Sequence, residues 1–163
     1  MKLFSDFLME EEQKEPTSGT YAKMTLSDKS RNKLSAWLKE KNFENLVDPS
    51  EYHVTIVYSR KPVPELANLN PEVPINVNPI GWEIFGKDHL LVLKLEDSEL
   101  TTIFNASKDM GATYDFAEYI PHISVAKNYE GDIPKTLPDF KIKLDDFVVE
   151  KLDLEFEYTE ESE

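Results

Sequence analysis

The chain has 163 residues, 40% of them apolar, with nine Phe, seven Tyr and two Trp, enough for one globular domain or two small lobes sharing a core. It has no cysteine, which excludes disulfides and thiolate metal sites, and no apolar run approaches the ~18 residues of a membrane span. A formal net charge of −14 argues against a protein that grips long nucleic acid through clustered Lys and Arg, but not against a small nucleotide held by a few local cations.

Residues 1–18 join Leu3, Phe4, Phe7 and Leu8 to an acidic run, Glu10 to Glu12, and read as a peripheral arm. This stretch lacks the apolar core and small-residue cleavage site of a signal peptide, so a cytoplasmic location is expected. Thr20 to Leu26 alternates Tyr21, Lys23 and Thr25 with Ala22, Met24 and Leu26, the pattern of a strand. Ser27 then suits the N-cap of a helix through about Lys41, with Leu34, Trp37 and Leu38 on its apolar stripe. A loop from Asn45 to Ser50 leads into a strand, His53 to Val57. Arg60 to Pro74, rich in Pro and Asn, reads as a long loop of the kind that closes over ligands. Ile75 to Asn78 and Ile80 to Phe85 read as strands, the second turning at Gly86-Lys87-Asp88 into His89 to Leu95. Ser98 to Met110 is expected to be helical and to stop at Gly111. Tyr114 to Tyr119 precedes a strand from His122 to Ala126. After the loop Asn128 to Pro138, two last strands are expected at Phe140 to Phe147 and Val149 to Tyr158, before an acidic tail, 159–163. Each half thus holds one helix and one strand that begins with histidine, about 70 residues apart. The fold class this implies is α+β: one domain, 19–158, of two pseudo-symmetric lobes with antiparallel sheets around a central cleft.

The two histidine strands, His53-Val54-Thr55-Ile56-Val57 and His122-Ile123-Ser124-Val125-Ala126, carry the chemistry. A strand sends alternate side chains to opposite faces, so His53 and Thr55 share one face and His122 and Ser124 share another, with the aliphatic residues behind them. Breaking a phosphodiester needs a base for the attacking oxygen, an acid for the leaving one, and donors for the nonbridging oxygens. Histidine, with an ordinary pKa of roughly 6.5, serves either proton role, and Thr and Ser hydroxyls supply donors. An RNA-like substrate would bring its own 2′-hydroxyl as nucleophile. No metal site is expected, because two distant histidines without His-x-x-x-His spacing are a poor zinc set, and no Gly-rich phosphate loop is present. His89 lacks the motif and reads as a surface histidine, and Trp82 as core. Arg60, Lys61 and Lys127 lie just past the histidine strands, where they either offset the acidic field for an anionic ligand or stay solvated.

The paired His-x-Thr/Ser strands resemble the 2H phosphoesterase superfamily. The longer stretches His53 to Lys61 (HVTIVYSRK) and Gly111 to Val125 (GATYDFAEYIPHISV) are similar to the phage anti-CBASS protein 1 family, whose enzymes degrade the cyclic di- and trinucleotide messengers of bacterial antiphage signalling. The resemblance runs from about Gly19 to Tyr158. It implies a LigT-like fold, a metal-independent phosphodiesterase acting on 3′–5′ bonds in rings such as cyclic GMP-AMP, no cofactor, and action by a monomer in the cytoplasm of an infected bacterial host. His53, Thr55, His122 and Ser124 fall on the family's catalytic positions. Tyr21 falls on a base-stacking aromatic and Glu150 on an acidic position used at the nucleotide, while Phe156 stands where the family has tryptophan. Read without the resemblance, Tyr21 also fits an ordinary strand tyrosine and Glu150 a solvated strand end. An RNA 2′,3′-cyclic phosphodiesterase, a nucleotide sponge that binds without cutting, and a structural module with vestigial motifs remain as rivals.

Overall fold

In a computed structural model the described residues are 18–96, 99–116 and 118–153. They form seven strands and two α-helices: β1 (Ser18–Leu26), α1 (Asp28–Glu40), β2 (His53–Ser59), β3 (Ile75–Val77), β4 (Pro79–Phe85), β5 (Leu90–Leu95), α2 (Glu99–Asp109), β6 (His122–Ala126) and β7 (Ile142–Asp153). The strands build two antiparallel sheets, one in the order β2-β1-β7-β3 and one in the order β4-β5-β6. Each sheet carries one histidine strand at an edge of its order, β2 or β6. The α+β, two-lobed expectation therefore holds, with the lobes unequal at four strands and three.

Both helices start and stop where side-chain chemistry dictates. The Ser27 hydroxyl accepts the Ser30 amide at 3.1 Å, capping α1, and Leu34 and Leu38 bury its inner stripe completely. Cutting either leucine to alanine in so closed a core costs about 2–5 kcal/mol. Asn42, at φ 64°, then lets the Phe43 amide reach the Leu38 carbonyl and the Asn42 amide the Lys39 carbonyl, closing the last turn. On α2, Leu100, Ile103, Phe104 and Ser107 are buried at the i, i+3, i+4, i+7 spacing of one helix face. Gly111, at φ 107°, ends it in the same way, with the Ala112 amide bonded to the Ser107 carbonyl.

Three expectations change. The two closing strands are a single one, β7, with Val148, where a break was expected, paired to Lys23 in the ladder; its register against β1 slips instead between Thr25 and Leu26, where Asp145 bulges. Residues 60–74 do not overhang the cleft. They contain a short 3-10 turn, Pro64–Asn68, whose Leu66 is wholly buried, and the Val63 amide is fastened to the Thr20 hydroxyl at 2.8 Å. β1 also begins at Ser18, one residue inside the expected arm. His89 is exposed, and Trp82 is buried with its indole N–H donating to the Thr136 carbonyl at 2.8 Å, both as expected.

Candidate active site

The alternation read from the sequence places the chemistry. On β2, Val54 and Ile56 are fully buried while His53 and Thr55 look out; on β6, Ile123 and Val125 are buried while His122 and Ser124 look out. The two strands come from different sheets and meet. Residues 45–47 lie along the free edge of β6, through Val47 N–H to Val125 O at 2.9 Å and Lys127 N–H to Asn45 O at 3.0 Å, and then run into β2. On the other flank the Tyr119 hydroxyl, just ahead of β6, donates to the Thr55 carbonyl on β2 at 2.7 Å. The Tyr119 ring lies flat on Phe104 of α2, with centroids 4.4 Å apart, and its burial pushes the phenol far above its ordinary pKa, so it stays a donor.

His53, Thr55, His122 and Ser124 line one cavity of about 300 Å³, together with Tyr21, Tyr58, Tyr119, Phe116 and Lys127. Both imidazoles are held alike. Nδ1 of His53 lies 2.8 Å from the Glu51 carbonyl, and Nδ1 of His122 lies 2.8 Å from the Ile120 carbonyl, each two residues back along the chain. A carbonyl only accepts, so each Nδ1 carries hydrogen and each Nε2 is left for the ligand. Each ring also has an aromatic wall: Tyr21 edge-on to His53 at 6.1 Å and Phe85 edge-on to His122 at 5.0 Å.

Burial dominates the electrostatics of both rings. The pKa of His53 is lowered chiefly by desolvation and further by Lys23, against the opposing pull of the Glu51 carbonyl and of Glu150 and Glu51. The pKa of His122 is lowered by desolvation and by the charge of His53, against the Ile120 carbonyl and Glu83. The charge of His53 felt at His122 marks the two as neighbours across the cavity.

Of the remaining expected residues, Tyr21 reaches the cavity, and its hydroxyl is hydrogen-bonded to that of Thr55 at 3.0 Å. Glu150 does not line the cavity. It stands opposite Tyr21 in the β1–β7 ladder, half exposed, paired with Lys23 at 3.4 Å on the rim beside His53. Phe156 lies outside the described residues. Tyr58, Phe85, Phe116 and Tyr119 were not foreseen as parts of the site. The segment Thr113 to Phe116 is pinned to the end of β2: the Thr113 amide donates to the Ser59 hydroxyl at 3.0 Å and the Arg60 amide to the Thr113 hydroxyl at 2.9 Å. The Arg60 guanidinium grips Asp115 through three contacts of 2.9–3.2 Å. These bonds hold Phe116, 48% exposed, at the mouth. Among the described residues no three His, Cys, Asp or Glu side chains converge as a metal-ligand set, and no helix is long and apolar enough to cross a membrane.

Comparison with known proteins gives the family and the fold. The profile of the family described as anti-CBASS protein Acb1 matches residues 18–159. The anti-CBASS protein Acb1 of Vibrio phage KVP40 is 27% identical over 141 residues, which cover 86% of this chain and 91% of that protein. That of Salmonella phage S16 is 30% identical over 112 residues, covering 69% and 74%. The crystal structure of E. coli LigT complexed with 3′-AMP superposes with a TM-score of 0.62 at 12% identity, covering 81% of this chain and 86% of LigT, which shows a LigT-like fold. By its sequence over nearly all of the described residues, the chain belongs to the anti-CBASS protein Acb1 family.

Proposed function

We propose that the protein is a metal-independent phosphodiesterase that hydrolyses 3′–5′ bonds in cyclic di- and trinucleotides such as 3′,3′-cyclic GMP-AMP, and so disarms CBASS antiphage signalling inside the infected bacterial cell. The observation that carries this reading is the convergence of two histidines from separate sheets on one cavity, each with Nδ1 held by a backbone carbonyl and each with a hydroxyl two residues on. An Nε2 on each side of a phosphorus supplies a base and an acid without a metal. In the first step the substrate 2′-oxygen attacks phosphorus and the bond to the 5′-oxygen breaks. One histidine takes the 2′-hydroxyl proton, and the other gives its proton to the departing 5′-oxygen. The ring becomes a linear chain ending in a 2′,3′-cyclic phosphate, which water opens to a monoester with the two proton roles reversed. Thr55 and Ser124 donate to the nonbridging oxygens, Tyr21 flanks a base, and Glu150 acts at the rim on the nucleotide's polar edge; Phe156 would add a second stacking ring.

The test is to incubate the pure protein, in EDTA, with a panel of cyclic di- and trinucleotides and with a short RNA ending in a 2′,3′-cyclic phosphate, reading products by mass spectrometry. Ring opening of a cyclic nucleotide in EDTA is the expected result. Turnover of the RNA end alone would turn the reading toward an RNA 2′,3′-cyclic phosphodiesterase. Binding without any product would make the protein a sponge.

A further inference from the structure

Each histidine strand breaks its alternation at the same place. The register of β2 against β1 shifts between Ala22 and Lys23, and Ile56 and Val57 are buried in succession. The register of β6 against β5 shifts between Leu91 and Val92, and Val125 and Ala126 are buried in succession. Strict period two would turn Tyr58 and Lys127 toward the core. The extra residue of a bulge returns both to the cleft, and both line the cavity, each three residues beyond the hydroxyl residue of its strand. Tyr58 packs edge-on against Tyr21 at 5.8 Å. Its counterpart in the other half is an ammonium group.

Of the cations just past the histidine strands, Arg60 is taken up by Asp115 and Lys61 does not reach the cavity. Among the described residues Lys127 is the one Lys or Arg that lines it, and no carboxylate of theirs lies within ion-pair distance of its ammonium. A protein of net charge −14 has no long-range attraction to offer a polyanion, so phosphate recognition must come from local contacts such as this one. With Val125 the extra residue of the bulge, the Lys127 backbone lies about two strand steps of ~3.3 Å past Ser124, so its side chain meets the cavity beyond the hydroxyl that serves the scissile phosphate and within reach of another phosphate on the same small ring. The cavity is also small, at about 300 Å³ the low end of the ~300–1,000 Å³ range of small-ligand pockets. A whole cyclic dinucleotide would overfill it, so the half away from the histidines would lie toward the mouth.

We infer that Lys127 binds the phosphate that is not cut, and thereby selects ligands with two phosphodiesters in one ring over ligands with one. This rests on the function proposed above. The experiment compares wild type, Lys127→Gln and Lys127→Arg on 3′,3′-cyclic GMP-AMP and on the linear dinucleoside monophosphate ApG, which has the same kind of scissile bond but no second phosphate. Loss of one charge-assisted contact predicts a KM for the cyclic substrate about ten- to a hundredfold higher in Lys127→Gln, a change at least fivefold larger than on ApG. Lys127→Arg should recover most of the difference, and the KM of Lys127→Gln should depend less steeply on salt. Equal losses on both substrates, or no loss on the ring, would overturn the inference alone. A wild-type protein that opens no cyclic nucleotide would overturn the proposed function and the inference with it.

Discussion

Gly19 is the position where the fold tolerates no side chain, and replacing it with alanine tests how the cleft is framed. A Cβ there would lie 2.0 Å from the Ser59 carbonyl oxygen and 3.1 and 3.2 Å from the carbonyl carbons of Ser59 and Arg60. Separations below 3.0 Å are essentially unknown for Cβ atoms, so the backbones must part by at least 1.0 Å, the difference between 3.0 and 2.0. The atoms in the way are main chain, and the same residues hold the Thr113 amide, the Thr113 hydroxyl and Asp115. Overpacking of this kind costs about 1–3 kcal/mol or more, and for a chain of this size each kcal/mol lowers Tm by roughly 2–4 °C. Gly19→Ala should therefore melt roughly 2–12 °C below wild type when unfolding is followed by circular dichroism. Gly81→Ala is the control, because its Cβ would meet only the flexible Lys94 side chain at 3.5 Å, an ordinary contact. A Gly19→Ala protein that melts with wild type would refute the close approach of β1 to the end of β2.

Other outcomes follow from the same geometry. Tyr119→Phe removes the hydroxyl that ties β2 to the segment ahead of β6. It should cost about 1–3 kcal/mol in denaturant unfolding and lower kcat more than it raises KM; an unchanged midpoint would contradict that tie. Because burial lowers the pKa of both histidines, the bell-shaped pH profile of kcat/KM should have its maximum on the acid side of ~6.5, its limbs belonging to the coupled pair; a maximum above about pH 7.5 would contradict the assignment. Stability carries the matching sign. With folded pKa values below the unfolded ~6.5, the unfolded chain binds more protons at acid pH, so this contribution is complete above pH ~6.5 and is lost as pH falls from there through the lowered folded values. A His53→Asn, His122→Asn protein should lose less unfolding free energy between about pH 7.5 and 5 than wild type does.

Much of the site could be read from the chain because its signals are local. Period-two alternation fixed the outward faces of His53, Thr55, His122 and Ser124, and a hydroxyl N-cap and a left-handed glycine marked the ends of α1 and α2. What escaped depends on partners far along the chain. The bulges at Ile56-Val57 and Val125-Ala126 are register events against β1 and β5, although the paired apolar residues in each strand were a visible sign that the alternation breaks. The closing strands looked like two, parted at Val148, but in the ladder Val148 pairs with Lys23 and the irregularity is one extra residue, Asp145, whose place is set by the register against β1. The loop 60–74 looked free to close because neither the burial of Leu66 nor its anchor at Thr20 can be read locally. Phe85, Phe116 and Tyr119 gave no motif of their own. They join the site because a hairpin end, a pinned segment and a stacked ring bring them there.

The account stands on two imidazoles acting on one phosphorus. Its most direct test is ring opening of 3′,3′-cyclic GMP-AMP in EDTA by wild type, His53→Ala, His122→Ala and the double variant, with ligand binding measured in parallel by calorimetry. Removal of either ring should lower kcat by about 10²–10⁴-fold while the ligand still binds, and the double variant should form no detectable product. Undiminished cleavage by the double variant would contradict the account.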